Sequence, residues 1–123
     1  MGRTRIKKIL YTIYMLVDPR DHKPFYIGQT KYLNLRYYKD HLNPAPNDKS
    51  DRAKRIREIL SARKKPVLVV LERTTRKVSA LIREMFWIEL FKSRGMKLKN
   101  QENQKWLLKQ YDELLGQMKS NRA

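Results

Sequence analysis

Cysteine is absent from the 123 residues, which excludes disulfides, thiolate zinc sites, iron–sulfur clusters and cysteine nucleophiles, and suits a reducing cytoplasm. Histidine occurs only as His22 and His41. A multi-histidine metal site is therefore excluded, and any metal must rest on oxygen ligands, the chemistry of Mg²⁺ or Mn²⁺. Acidic residues are few: 12 Asp plus Glu stand against 29 Lys plus Arg, a formal net charge of +17. A folded chain with that excess repels itself unless a polyanion compensates, and nucleic acid is the commonest such partner. There is no glycine-rich phosphate loop, no nucleophile-elbow serine and no His-Glu-x-x-His helix. The apolar run over 9–17 follows Arg3, Arg5, Lys7 and Lys8 in the manner of a signal peptide. No small-residue cleavage site comes after it, however, and it is far too short to span a bilayer, so no membrane partner is expected.

What is present reads as one domain over 1–118, with a core over 10–100, a last helix over 101–118 and a frayed tail over 119–123. The hydrophobic fraction of 41% is ordinary for a globular chain. Residues 11–17 are β-branched and aromatic and end at the Asp18-Pro19 turn; 25–29 form a second short strand, joined by about seven residues in an antiparallel hairpin. Thr30 can cap a helix to about Leu42, stopped by the proline-rich stretch over 43–47. A second helix over 51–63 buries Ala53, Ile56 and Leu60. The continuous apolar run over 67–71 predicts a central strand covered on both faces. A strongly apolar helix over 77–92 ends at Arg94-Gly95, and the last helix carries Leu107, Tyr111, Leu114, Leu115 and Met118 along one side. The expected fold is α/β (α+β): a small, mostly antiparallel three-stranded sheet flanked by helices, in the order β-β-α-α-β-α-α.

The chemistry-bearing residues are dispersed: Thr12-Ile13-Tyr14 on the first strand, Tyr26-Ile27-Gly28 on the second, Arg36 and His41 on the first helix, Glu84 on the third. The paired strand motifs, the continuation Gly28, Gln29, Thr30, Leu33, Arg36 and the later Glu84 to Ile88 resemble the GIY-YIG nuclease family. The likeness covers roughly residues 10–100, with Thr12 standing where the first motif names glycine. The resemblance implies a divalent-metal-dependent endonuclease. In it Tyr26 orients or deprotonates the attacking water and Tyr14 supports that network. Arg36 holds the scissile phosphate, Glu84 is the metal ligand, and Asn100 closes the site. DNA is the expected substrate, with RNA and branched DNA left open. A double-strand break would take a homodimer or two visits.

The residues agree with that chemistry on physical grounds. One carboxylate suits Mg²⁺, which keeps its waters, and an arginine fork matches phosphate oxygens. Tyrosine is a poor base at its reference pKa of about 10, so nearby cations would have to lower it, with Arg36 and Lys31 as candidates. Glu84 shares a helical stripe with Trp87, Ile88 and Phe91, where an unpaired carboxylate is costly. Each residue also has a plain structural reading. The tyrosines can be strand aromatics, Arg36 can pair with Asp40, and Asn100 can cap the last helix. His41 lies five positions after Arg36 where the family spacing is four. Five α-helical residues turn about 500°, which rotates the imidazole away from the arginine's face unless the helix ends or bulges first. Lys31, Arg52, Lys54, Arg55, Lys64 and Lys65 are the expected phosphate-backbone contacts. Two rival readings remain: a binding-only module on the same fold, and a basic RNA-binding structural protein.

Overall fold

Side chains alternate across a strand, so the odd and even residues of the first strand face opposite layers. The computed structural model describes residues 10–100 and 103–120. It begins with β1 (Tyr11–Asp18) and β2 (Lys23–Thr30), followed by a short α1 (Leu33–Arg36) that runs into a π-helical turn (Tyr37–His41). Then come α2 (Asp51–Ser61), β3 (Val67–Thr74), α3 (Lys77–Ser93) and α4 (Asn103–Ser120). The sheet is antiparallel throughout, in the order β2-β1-β3. Ile13 and Ile27 pack under Ala80, Leu81 and Ile88 of α3, while Tyr14 and Leu16 pack against Ile56 and Ile59 of α2. Ile56 and Ile59 are fully buried, each contributing about 1.5–3 kcal/mol relative to exposure.

The expected order of elements holds, with four local corrections. The central strand is β1, not β3: β1 pairs on both sides, and β3 is an edge with Val67 and Val70 exposed. A continuous apolar run cannot by itself distinguish an edge strand covered unevenly from a buried one. The hairpin is tighter than seven residues. Pairing reaches Asp18 and Lys23, and His22 takes a left-handed φ of 60° as its N–H donates to the Asp18 carbonyl. On α2 the buried stripe is Ala53, Ile56 and Ile59, with Leu60 half-buried. Thr30 accepts a bond from the Tyr32 N–H but precedes α1, which starts without a side-chain cap.

The ends of the other helices follow local rules. Ser50 caps α2, its hydroxyl accepting from Ala53 N. At the end of α3, Gly95 has φ 80°, its N–H donates to the Lys92 carbonyl, and Met96 N–H donates to Phe91, the bond pair of a Schellman motif. Helix α4 runs to Ser120, past the expected end at 118, so Lys119 and Ser120 are helical. The expectations for residues 3–8, for the tail over 121–123 and for the side chains of Leu107 and Met118 lie outside the described residues.

Candidate active site

Tyr14 stands directly across from Gly28, and Tyr26 is two positions along the same pair of strands, opposite Leu16. The Tyr14 ring lies over the bare Gly28 backbone. A Cβ at position 28 would meet Tyr14 Oη at 2.7 Å and Tyr26 Cε2 at 2.9 Å. Glycine is therefore required by the close approach of a ring, not by an unusual φ. The two ring centroids are 6.3 Å apart, and the His41 ring sits 5.5 Å from Tyr14 and 5.7 Å from Tyr26.

That position of His41 corrects the helical-wheel expectation. Residues 37–41 are π-helical, with Leu42 N–H donating to the Tyr37 carbonyl five residues back. The i→i+5 pattern fits about one extra residue into the turn, so five residues complete roughly one revolution instead of overshooting it. The Tyr37 hydroxyl anchors the turn by donating to the Pro66 carbonyl at 2.7 Å, just before β3. His41 is fully buried, with Nε2 2.7 Å from Tyr14 Oη and Nδ1 3.2 Å from Arg52 Nη1. Burial first, and then the charges of Arg52 and Arg36, bring its pKa down to about 3, so the ring is neutral. A guanidinium only donates, which makes Nδ1 the bare nitrogen. The proton resides on Nε2, and Nε2–H donates to Tyr14 Oη. The Tyr14 hydrogen is thereby left free for another acceptor.

Arg52 is thus part of the site. Its guanidinium also pairs with Asp48 at 3.0 Å and lies 5.5 Å over the Tyr26 ring, with its side chain 16% exposed. Arg36 approaches the Tyr26 hydroxyl. Its Nε is 3.2 Å from Asp40, yet it is buried without an aligned hydrogen bond. Glu84, 6% exposed on α3, has no hydrogen-bond or ion-pair partner among the described residues. Burial pushes its pKa up to about 8, against an opposing pull from Arg36. Burial likewise raises both tyrosine hydroxyls above their ordinary value, outweighing Arg36 and Arg52. The expectation that cations lower them is therefore overturned, because desolvation of a phenolate exceeds the attraction of the two guanidiniums. Lys31 takes no part in that balance; its ammonium lies 5.4 Å over the Tyr11 ring.

The remaining predicted residues lie elsewhere. Asn100 grips the outer edge of β2: Ile27 N–H donates to its Oδ1 at 3.0 Å, and its Nδ2 donates to the Ile27 carbonyl at 2.6 Å. It holds the strand between Tyr26 and Gly28 and is not the cap of α4, which begins at Asn103. Lys54, Lys64 and Lys65 are exposed. Arg55 is engaged by Asp18 at 2.8 Å and Asp21 at 3.0 Å, which removes it from the free surface charges. Sequence reasoning missed the inward turn of Arg52; the Asp48–Arg52 spacing of four was its only visible trace. Among the described residues no group of three or more His, Asp or Glu could form a metal cluster. No helix among them is long and apolar enough to cross a membrane.

A family model described as the GIY-YIG catalytic domain matches residues 10–99. Among curated proteins and among solved structures, nothing matches the chain.

Proposed function

The chain belongs to the GIY-YIG family, whose catalytic domain spans residues 10–99 here, and from that premise we propose that it is an Mg²⁺- or Mn²⁺-dependent endonuclease acting on DNA in a reducing cytoplasm. Glu84 carries the reading. It is a buried carboxyl with no hydrogen-bond or ion-pair partner among the described residues, in electrostatic reach of Arg36 and both tyrosines. Such a group fits a resident cation, which would relieve its desolvation without needing other protein ligands. When bound there, a divalent ion offsets the negative charge on the leaving oxygen.

The chain's own residues supply the rest. Arg36 holds the scissile phosphate with a guanidinium whose Nε has no aligned partner. Tyr26, protonated and half-buried beside it, orients the attacking water. Tyr14 is held by the Nε2–H of His41, and Arg52 holds His41 in turn. The new bond runs from the water oxygen to phosphorus as the phosphorus–oxygen bond to the leaving group breaks. One strand end keeps the phosphate, and the other takes the proton as a hydroxyl. One site cuts one strand, so a double-strand break takes two copies or two visits.

The binding-only alternative draws on Asp40, whose carboxylate stands beside the Arg36 guanidinium. Incubating purified protein with supercoiled plasmid separates the two. Nicked circles that appear with Mg²⁺ or Mn²⁺ and not with EDTA support hydrolysis. Plasmid that is retarded on a gel yet intact in either metal favours binding alone.

A further inference from the structure

A second feature of the molecule lies along the groove between α2 and β2. After Gly95 ends α3, residues 97–100 run beside the free edge of β2. The Lys99 N–H donates to the Phe25 carbonyl, and Asn100 clamps Ile27 two residues on. Leu98 turns inward to the core under α3, which leaves Lys97 and Lys99 on the other side. With Lys23 of the hairpin and Arg94 of the α3 terminus they border an open cleft of about 480 Å³, floored by Phe25 and Arg55. The side chains of Lys23, Arg94, Lys97 and Lys99 have no ion-pair or hydrogen-bond partner among the described residues. The one acid in the lining, Asp21, is already bonded to Arg55 and to the Lys23 N–H.

The cleft neighbours the candidate active site along α2 and β2. Arg52 lies 5.5 Å over Tyr26 at the active site, and Arg55 lies 5.8 Å over Phe25 at the cleft. Three residues of helix cover about 5 Å and one residue of strand about 3.4 Å. The cleft therefore opens within roughly 10 Å of the tyrosines, about one to two nucleotides of backbone, whose contour per nucleotide is roughly twice the 3.4 Å axial rise. Four unpaired cations without a rigid hydrogen-bonding cradle suit repeated, loosely held phosphates better than one small anion. An acidic peptide would meet the same charges, but it would have no reason to run on into the catalytic groove.

We propose that this cleft binds the phosphate backbone of a nucleic-acid strand, one to two nucleotides to one side of the bond in the active site. The location relative to the cut rests on the nuclease reading; the binding does not. The test is a salt titration in EDTA with a labelled duplex, comparing the natural protein with a Lys97→Glu/Lys99→Glu variant. A Lys77→Glu/Lys92→Glu variant on exposed positions of α3 controls for net charge. The cleft variant should bind at least about tenfold more weakly at low salt, with a log–log salt slope shallower by about 1.8, near 0.9 per lost contact. The control should lose less than about threefold. Affinity and slope within about twofold of the natural protein, or equal losses in both variants, would overturn the proposal. The location is read from duplexes trimmed on either side of the mapped cut. The defect should vanish when one side is removed and persist when the other is. A defect indifferent to trimming refutes the placement. A protein that never cuts plasmid defeats the nuclease reading, while the salt titration still decides the cleft.

Discussion

Two carboxyl groups are buried among the described residues, and their surroundings are opposite. Asp18, at the end of β1, is fully buried and receives bonds from Arg20 N, Nε and Nη2 at 2.8–3.2 Å and from Arg55 Nε at 2.8 Å. The Arg20 side-chain bonds, ahead of the opposing effect of burial, hold its pKa down to about 2. Glu84 is buried almost as deeply, has no such partner, and rises to about 8. Burial is outweighed by ion pairs in one place and left standing in the other. A charge offset by its own chain contributes to the fold. A carboxyl left without that offset, in electrostatic reach of Arg36 and two tyrosines, is the group that the proposed cation would engage.

The comparison breaks most sharply at Glu84. Glu84→Gln should lower plasmid nicking by at least about a thousandfold, roughly 4 kcal/mol of lost barrier reduction. Its melting temperature at neutral pH should stay within a few degrees of the natural protein or rise, because the isosteric amide replaces a carboxyl that folding must hold protonated. Binding in EDTA should be unchanged or tighter. A variant that melts early but nicks normally per folded molecule would move Glu84 into the class of Asp18.

Asp18→Asn is the mirror experiment. It strands Arg20 and Arg55 in a partly buried cluster, and breaking such a pair typically costs about 3–5 kcal/mol. Urea unfolding should show the lower end of that range, since both arginines retain some solvent contact. Nicking per folded molecule should survive. Loss of nicking at unchanged stability would contradict the division between the two regions.

How much of this was legible in the sequence follows from the range of the interactions involved. Strands, the order of elements and the Tyr14, Tyr26, Arg36, Glu84 series are local patterns or fixed spacings, and they stood in the sequence. The burial of Glu84 was also readable, from Trp87, Ile88 and Phe91 on its stripe. The edge position of β3 was not, because pairing partners are chosen across the whole chain. The π-turn was hidden as well. It depends on the Tyr37 anchor to Pro66, 29 residues away, and no periodicity announces it. Arg52 and Arg55 looked alike because their partners, His41 at 11 residues and Asp18 at 37, are contacts of the fold.

The metal-free stability profile sharpens the comparison further, and its signs follow from three groups. Glu84, ordinarily 4.5 and about 8 when folded, keeps its proton in the fold, so stability falls as pH rises between those values. His41, ordinarily 6.5 and about 3 when folded, resists protonation, so stability falls as pH drops below 6.5. The two slopes cancel between 4.5 and 6.5. Asp18, ordinarily 3.8 and about 2 when folded, contributes fully above 3.8 and loses that contribution as pH falls towards 2. In EDTA the stability should therefore plateau from about pH 4.5 to 6.5 and decline on both sides. On the alkaline side the slope approaches about 1.4 kcal/mol per unit up to pH 8. Glu84→Gln should abolish the alkaline decline and, with nothing left to cancel the His41 slope, start the acid decline at about pH 6.5 instead of 4.5. Denaturant melts at half-unit intervals measure both, and an alkaline decline that survives in the variant would assign it to another group.

The smallest expected effect separates the two regions within a single helix. Arg52 and Arg55 are one turn apart on α2; one serves His41 in the site, the other Asp18 in the hairpin cluster. Both lose the same atoms on substitution by methionine. Arg55→Met removes charged bonds to Asp18 and Asp21, about 1.5–3 kcal/mol of stability, and should leave kcat per folded molecule unchanged while weakening DNA binding, because it frees Asp21 in the cleft. Arg52→Met should cost less stability, because His41 stays neutral and buried without it. Its effect lies in the ring. With no donor at Nδ1, the imidazole is free to move its proton there and to accept from the Tyr14 hydroxyl instead of donating to it. Tyr14 then loses the bond that favours its anionic form. The expected result is roughly a tenfold fall in kcat with little change in KM, and imidazole ¹⁵N shifts that report Nε2–H in the natural protein and a mixture in the variant. Arg52→Lys, which still only donates, should restore part of the rate and the Nε2–H form. Nitrogen shifts that place the proton on Nδ1 in the natural protein would contradict the arrangement directly, whatever the rates.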